Sequence, residues 1–226
     1  MTSLLERTIS IIAPHRCFSC SKESNILCAA CASQGFGDAP EVCALCNRPT
    51  ADAKVCKGCA SQTALRHVWM ASEYDGVVKR LIRAYKFDRV RAAYKPLAAG
   101  MIEALPYLGT DIIVVHIPTA PERVRQRGYD QARLLAREIA QRQGWQHRSL
   151  LRRVHNDRQV GASRAQRLRQ AQRAFIYGGG DVAGKCILLV DDVTTSGATL
   201  AAAAEVLAAA GAMRVDAVVA AKHTLE

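Results

Sequence analysis

Ile187-Leu188-Leu189-Val190-Asp191-Asp192-Val193-Thr194-Thr195-Ser196-Gly197-Ala198-Thr199 runs an apolar stretch directly into two carboxylates and a hydroxyl-rich turn. The apolar part has no helical spacing and suits a strand buried on both faces of a parallel sheet. Such a strand delivers Asp191 and Asp192 to its carboxyl end, the edge at which open α/β sheets bind ligands. Two adjacent carboxylates there can accept hydrogen bonds from a vicinal diol, directly or around a bound Mg²⁺. The backbone N–H groups of a turn built from Thr194, Thr195, Ser196, Gly197, Ala198 and Thr199 can converge on a phosphate. The alanine-rich segment Ala198 to Ala210 adds the positive end of a helix. The plainer alternative is a buried strand followed by a helix with a Thr-Ser cap. It leaves two unpaired carboxylates at a strand end, which is costly unless they are solvated or liganded.

Working outward, the chain from residue 63 alternates strand and helix patterns. A strand is expected over His67 to Tyr74. Asp75-Gly76 then opens a helix through Ala84 with Val78, Leu81 and Ile82 on one face, and another helix runs from about Ala93 to Leu105, stopped by Pro106. Asp111 to Ile117 reads as a buried strand ending at Pro118. Gly128 to Arg142 reads as an amphipathic helix with Leu134, Leu135, Ile139 and Ala140 inward, closed by Gly144. Arg214 to Ala220 is the last strand, and Gly178-Gly179-Gly180 turns the chain ahead of the motif strand. Together these predict an α/β fold with a parallel, doubly wound sheet over residues 63–226.

Residues 1–62 differ in kind. Cys17-x2-Cys20, Cys28-x2-Cys31, Cys43-x2-Cys46 and Cys56-x2-Cys59 form four C-x-x-C pairs, while Cys186 stands alone in an apolar strand and reads as a small buried hydrophobe. Two thiolates at that spacing reach one tetrahedral ion, and two pairs complete a closed structural Zn²⁺ site. The simplest grouping is Cys17, Cys20, Cys28 and Cys31, then Cys43, Cys46, Cys56 and Cys59; a cross-braced grouping fits the spacing too. One or two zinc ions are therefore expected in an N-terminal ribbon held by metal rather than by a core. The opening Met1-Thr-Ser-Leu-Leu-Glu-Arg lacks the apolar core of a secretory signal, and no window has the apolar length of a membrane span. A cytoplasmic setting with reduced thiols follows as the expectation, which favours metal over disulfides.

Charge is uneven. Between Arg123 and Arg173 there are fourteen arginines, no lysine and three acidic residues, an excess of +11 that equals the formal net charge of the whole chain. Guanidinium forks suit phosphate oxygens, although many charges in such a run serve only to solvate helix faces. Two settings are more specific. The first is Pro118-Thr119 followed by Arg123, Arg125, Arg127, Gly128, Tyr129, Asp130 and Gln131, cations at a strand's carboxyl end where a pyrophosphate would be held. The second is His155 to Arg167, containing Arg158, Gln159 and Arg167, with the composition of a lid over a charged substrate or of a plain surface loop.

The motif resembles the phosphoribosyl pyrophosphate (PRPP) motif of type I phosphoribosyltransferases, in which four hydrophobic residues precede two acidic ones and a Thr/Gly-rich loop. Over nearly its whole length the chain resembles the ComF/GntX family, a competence-associated family with a zinc ribbon fused to a type I phosphoribosyltransferase domain. The carriers are the paired cysteines, Tyr74-Asp75-Gly76 to Lys86, Arg125-x-Arg127-Gly128-Tyr129-Asp130-Gln131, Gln159-Val160-Gly161-x-Ser163 with Arg167, and the PRPP motif. Tyr129-Asp130 departs from the family's usual aromatic-Asn pair, and Ala162 from a commoner leucine. The resemblance implies that Asp191 and Asp192 meet the ribose hydroxyls and Mg²⁺, that Val193 to Thr199 hold the 5-phosphate, and that Lys86, Arg125, Arg127 and the Pro118 turn face the pyrophosphate. It implies transfer of a phosphoribosyl group to a nitrogen acceptor with loss of pyrophosphate. No motif selects a base; His67, His116 and His155 are the titratable candidates. The competing implication is a PRPP-sensing module that binds single-stranded DNA or a DNA-uptake partner, supported by the local charge and opposed by an aromatic content of only 5%, which leaves few stacking platforms. A ribbon serving only as a docking tag is a third reading.

Overall fold

The computed structural model describes residues 16–23, 25–37, 39–154 and 174–224. Its central strands are β1 (Leu65–Met70), β2 (Ile112–His116), β3 (Gln146–Arg148), β6 (Cys186–Thr194) and β7 (Arg214–Lys222). They form a five-stranded sheet in the order β1-β7-β6-β2-β3, with every neighbouring pair parallel. A separate antiparallel pair joins β4 (Leu151–Arg153) to β5 (Phe175–Tyr177).

Strand periodicity divides the core in two. Ile112, Val114, Leu188, Val190, Val218 and Ala220 face one side, and Ile113, Val115, Ile187, Leu189, Ala217 and Val219 face the other. Both faces are apolar because both are covered, as the unbroken hydrophobic runs require. The first face carries α3 (Gly76–Phe87), α4 (Tyr94–Glu103) and α6 (Gln131–Gln143); the second carries α7 (Ala198–Ala209). Val78, Leu81 and Ile82 of α3 are buried as their spacing predicts, joined by Tyr85. In α7, Leu200, Leu207 and the run Ala201 to Ala204 are buried, so the small side chains let the helix be enclosed on nearly every side.

Three boundaries move. β1 starts and ends earlier than His67 to Tyr74, because Ala71 to Tyr74 turn along the end of β7, where the Ser72 hydroxyl donates to the Ala220 carbonyl at 2.9 Å. A helix not expected from the sequence, α5 (Pro121–Arg127), precedes Gly128, and the helix expected from Gly128 begins at Gln131 as α6. Pro121 begins the first, where its fixed φ and missing N–H cost nothing, and Asp130 caps the second. The motif strand extends through both aspartates to Thr194. Gly144 ends α6 with φ +70°, as expected of a glycine at that position.

The cysteine-bearing residues pack against the sheet and its helices. They add two short helices, α1 (Ala29–Gly35) and α2 (Lys57–Ala60), and pair along β1: Val55 N–H donates to Arg66 O and Val68 N–H to Ala53 O. Cys17, Leu27, Cys31 and Phe36 join the first apolar cluster, and Cys43, Ala44 and Val55 the second. Phe36 lies against Gly100 of α4, where an added Cβ would sit 2.4 Å from the ring. Among the described residues no helix is long and apolar enough to cross a membrane.

Candidate functional site

The carboxyl ends of β2, β6 and β7 form one edge of the sheet. In register, His116 lies beside Val190, and Ile117 N–H donates to Val190 O, so the Pro118-Thr119 turn emerges next to Asp191 and Asp192. Asp191 is half-buried and Asp192 buried. Burial first, then the charge of Asp192, push the Asp191 carboxyl up to about 7, with Lys86 opposing. The Asp192 N–H donates to Asp191 Oδ1 at 2.8 Å. Lys86, at the end of α3, places Nζ 2.8 Å from Asp192 Oδ1, so residues far apart in sequence share one ion pair.

After Thr194 the chain turns through Thr195 and Ser196, both exposed, into Gly197, whose φ of +65° starts α7. Thr194, Thr195, Ser196, Gly197, Ala198 and Thr199 thus bracket the amino end of a 12-residue helix, the arrangement that attracts an anion. Opposite them, Asp130 fixes the Pro118-Thr119 turn: Thr119 N–H donates to its Oδ2 and Thr119 Oγ1 to its Oδ1, at 3.1 and 3.0 Å. Arg133 N–H donates to the same carboxylate, which caps α6. The Asp130 charge, set beside an expected pyrophosphate contact, is therefore used locally. Tyr129 stacks on Tyr85, donates to the Tyr85 carbonyl, and holds α3 against the α5–α6 junction.

Two donors in this wall lack acceptors among the described residues. They are Arg127 Nε and the Nε2 of Gln131, a residue only 1% exposed. Arg127 lies over the Phe87 ring, and burial lowers its pKa against the opposing charge of Asp192. The expected residues divide accordingly. Lys86, Thr119, Arg127, Gly128, Tyr129, Asp191 and Asp192 share one end of the sheet, whereas Arg123 is exposed and Arg125 lies in solvent 3.8 Å from Glu122. His155, Arg158, Gln159 and Arg167 fall outside the described residues. His116 is buried with Nδ1 3.1 Å from His147 Nε2, and burial lowers its pKa; His67 pairs with Asp216 at the beginning of β7. A cavity of about 710 Å³ opens between Phe36, Trp69, Glu103, Leu108 and Asp216 and includes none of the motif residues.

The eight paired cysteines gather in chain order rather than cross-braced. Cys17, Cys20, Cys28 and Cys31 form one set and Cys43, Cys46, Cys56 and Cys59 the other, each with its Sγ atoms within 4.8 Å of one another. In each set a backbone N–H points at a sulfur, Cys28 to Cys17 at 3.4 Å and Cys56 to Cys43 at 3.5 Å. Burial would raise the Cys46 thiol, but the backbone and side chain of Arg48 outweigh it and bring it down to about 6. Burial, then the crowding of Cys46 and Cys56, push Cys59 up to about 12. Such crowding of thiols suits a shared soft cation. Cys186 is half-buried at the start of β6 and belongs to neither set.

One site residue carried no signal in the sequence. Lys222, the last residue of β7, is 1% exposed and donates from Nζ to Ala44 O at 2.8 Å and to Thr195 O.

Residues 128–224 match the phosphoribosyl transferase domain family. The competence protein ComFC of Bacillus subtilis (strain 168) is 29% identical over 196 residues, covering 82% of this chain and 79% of that one. ComFC of Streptococcus pneumoniae (strain ATCC BAA-255 / R6) is 32% identical over 139 residues, 62% of this chain and 60% of that one. Among solved structures, TT1426 from Thermus thermophilus superposes with a TM-score of 0.36 at 22% identity, over 56% of this chain and 72% of that one. With paired cysteines ahead of a parallel α/β sheet that carries the Asp191-Asp192 motif, the chain is similar to the ComFC competence proteins, and its sheet carries a phosphoribosyl transferase-type domain.

Proposed function

We propose that the protein binds PRPP with Mg²⁺ and transfers the phosphoribosyl group to a nitrogen acceptor, releasing pyrophosphate, with residues 63–226 as the transferase unit and residues 1–62 as a ribbon holding Zn²⁺. The observation that carries this reading is the continuity of β6, Asp191-Asp192, the Thr194–Gly197 turn and the start of α7. One strand end presents carboxylates for the ribose diol and, one turn later, an anion site for the 5-phosphate. Mg²⁺ held near Asp191 and Asp192 would neutralise charge developing on the leaving pyrophosphate. Lys86 compensates Asp192 and orients it. Arg127 lies on the wall next to Pro118-Thr119, where a guanidinium fork suits pyrophosphate oxygens, and Gln131 is buried behind it.

The test is calorimetric titration of PRPP, with and without Mg²⁺, into the full chain and into Asp191→Asn/Asp192→Asn. Mg²⁺-dependent binding that disappears in the double variant supports the reading. Folded, zinc-loaded protein that binds PRPP equally well with both aspartates replaced would overturn it.

A second reading rests on Arg123, Arg133, Arg137, Arg142, Arg152 and Arg153, all exposed on α5, α6 and β4. A surface of this kind suits single-stranded nucleic acid, and two similar proteins are named for competence. Affinity for single strands that falls linearly on a log-log plot against salt supports this reading; flat binding removes it.

A further inference from the structure

Burying an ammonium costs free energy unless its donors are met. Lys222 meets that condition with two main-chain carbonyls from segments otherwise remote in sequence: Ala44, between Cys43 and Cys46, and Thr195, in the turn ahead of α7. Without a cation between them, these two carbonyl oxygens would lose the donor they share. A second contact joins the same two segments. Gly197 presents its bare Cα to the cysteine turn, and an added Cβ would lie 2.5 Å from Leu45 Cδ2 and 3.0 Å from Ala44 O. β7 delivers the lysine accurately, since Lys222 stands in register with Thr194 and its own N–H donates to Ser72 O.

The Ala44-Leu45 turn takes its shape from its flanks. Cys43 is fully buried, and its N–H donates to Arg48 O while its own carbonyl accepts from Asn47 N–H. Cys43 and Cys46 must both point into the set of four sulfurs, so an ion held there fixes the turn between them. The set formed by Cys17, Cys20, Cys28 and Cys31 sits elsewhere, on α3, where Arg80 donates to Ser19 Oγ.

We propose that Lys222 is a positioning residue for the phosphate turn, and that through it the Cys43, Cys46, Cys56 and Cys59 set holds Thr195 to Gly197 in the shape that receives a 5-phosphate. The ribbon is thereby part of the ligand site, and metal occupancy of this one cluster governs ribose-phosphate affinity. The claim about affinity rests on the PRPP reading above; the claim about the turn does not.

The experiment uses the full, zinc-loaded chain with Lys222→Met, Lys222→Arg and Cys46→Ser. Lys185→Met, which removes an exposed lysine paired with Asp111, controls for loss of charge. Hydrogen exchange is read at residues 195–199 with Leu188 to Val190 of β6 as internal reference, alongside zinc content and calorimetric PRPP affinity with Mg²⁺. Lys222→Met should keep its zinc, speed exchange at 195–199 without affecting the reference, and weaken PRPP about tenfold or more, the loss of one charge-assisted hydrogen bond. Lys222→Arg should recover most of that affinity, and Lys185→Met should match wild type. Cys46→Ser, which opens the cluster and leaves Lys222 in place, should loosen the same turn. Exchange at 195–199 that is unchanged in both Lys222→Met and Cys46→Ser overturns the coupling. Wild-type protein that binds no PRPP overturns the transferase reading instead, and the exchange data still decide the coupling.

Discussion

Asp191→Asn should stabilise the protein, and by more at alkaline than at acid pH. The Asp191 carboxyl is held at about 7 against an ordinary 3.8, chiefly by burial and then by the charge of Asp192. A raised acid keeps in the folded state a proton that the unfolded chain releases. Its stabilising contribution is therefore complete below about pH 4 and is lost as pH rises to about 7. Each pH unit in that window is worth about 1.4 kcal/mol. Between about pH 5.5 and pH 8 the window spans about 1.5 units, so wild type loses about 2 kcal/mol that a non-titrating side chain does not lose. Asparagine keeps the oxygen that accepts from Asp192 N–H, so the local geometry survives. The assay is urea unfolding in saturating zinc, followed by the fluorescence of Trp69 and Trp145, at both pH values. The advantage of Asp191→Asn over wild type should grow by about 2 kcal/mol from acid to alkaline buffer. An advantage that stays constant, or a wild type that gains on the variant as pH rises, would refute the argument. Replacing a residue proposed for the ribose site should thus raise stability, the trade expected where a carboxylate is kept in an unfavourable place for function.

Other perturbations have equally definite outcomes. Gly100→Ala drives a methyl into the Phe36 ring and should cost about 1–3 kcal/mol despite better helix propensity; urea unfolding should show part of that restored by adding Phe36→Leu. Asp130→Ala removes the α6 cap and frees Thr119, with an expected loss of about 1–2 kcal/mol in thermal or urea unfolding. Cys46→Ser should halve the zinc content of the chain, read by metal analysis after gel filtration, because the two thiol sets are separate.

The motif strand, its aspartates and α7 were legible because each is specified locally: an apolar run, two acids, a small-residue turn and an alanine-rich helix. Spacing defined the four cysteine pairs, but the chain-order grouping was only the simpler of the two it allowed, and the structure selects it. α5 was missed because its sequence, Pro-Glu-Arg-Val-Arg-Gln-Arg, has almost no apolar face, and Pro121 at its start was the only signal. Asp130 looked out of place beside arginines, yet an Asp ahead of an amphipathic run is an ordinary helix cap. Lys222 and the pairing of Lys86 with Asp192 were not legible at all. Each joins segments remote in sequence, and a lysine at the end of a strand normally reads as solvated.

The strand at one side of the sheet, Leu-Arg-His-Val-Trp-Met, is mostly buried and apolar, while β3 at the other side is the short, polar Gln-His-Arg. Residues 53–55, just ahead of Cys56, occupy the backbone hydrogen-bonding row of the apolar side. An uncovered apolar strand is a template for pairing with a second chain. Chelated protein should therefore fail by self-association rather than by simple loss of ligand.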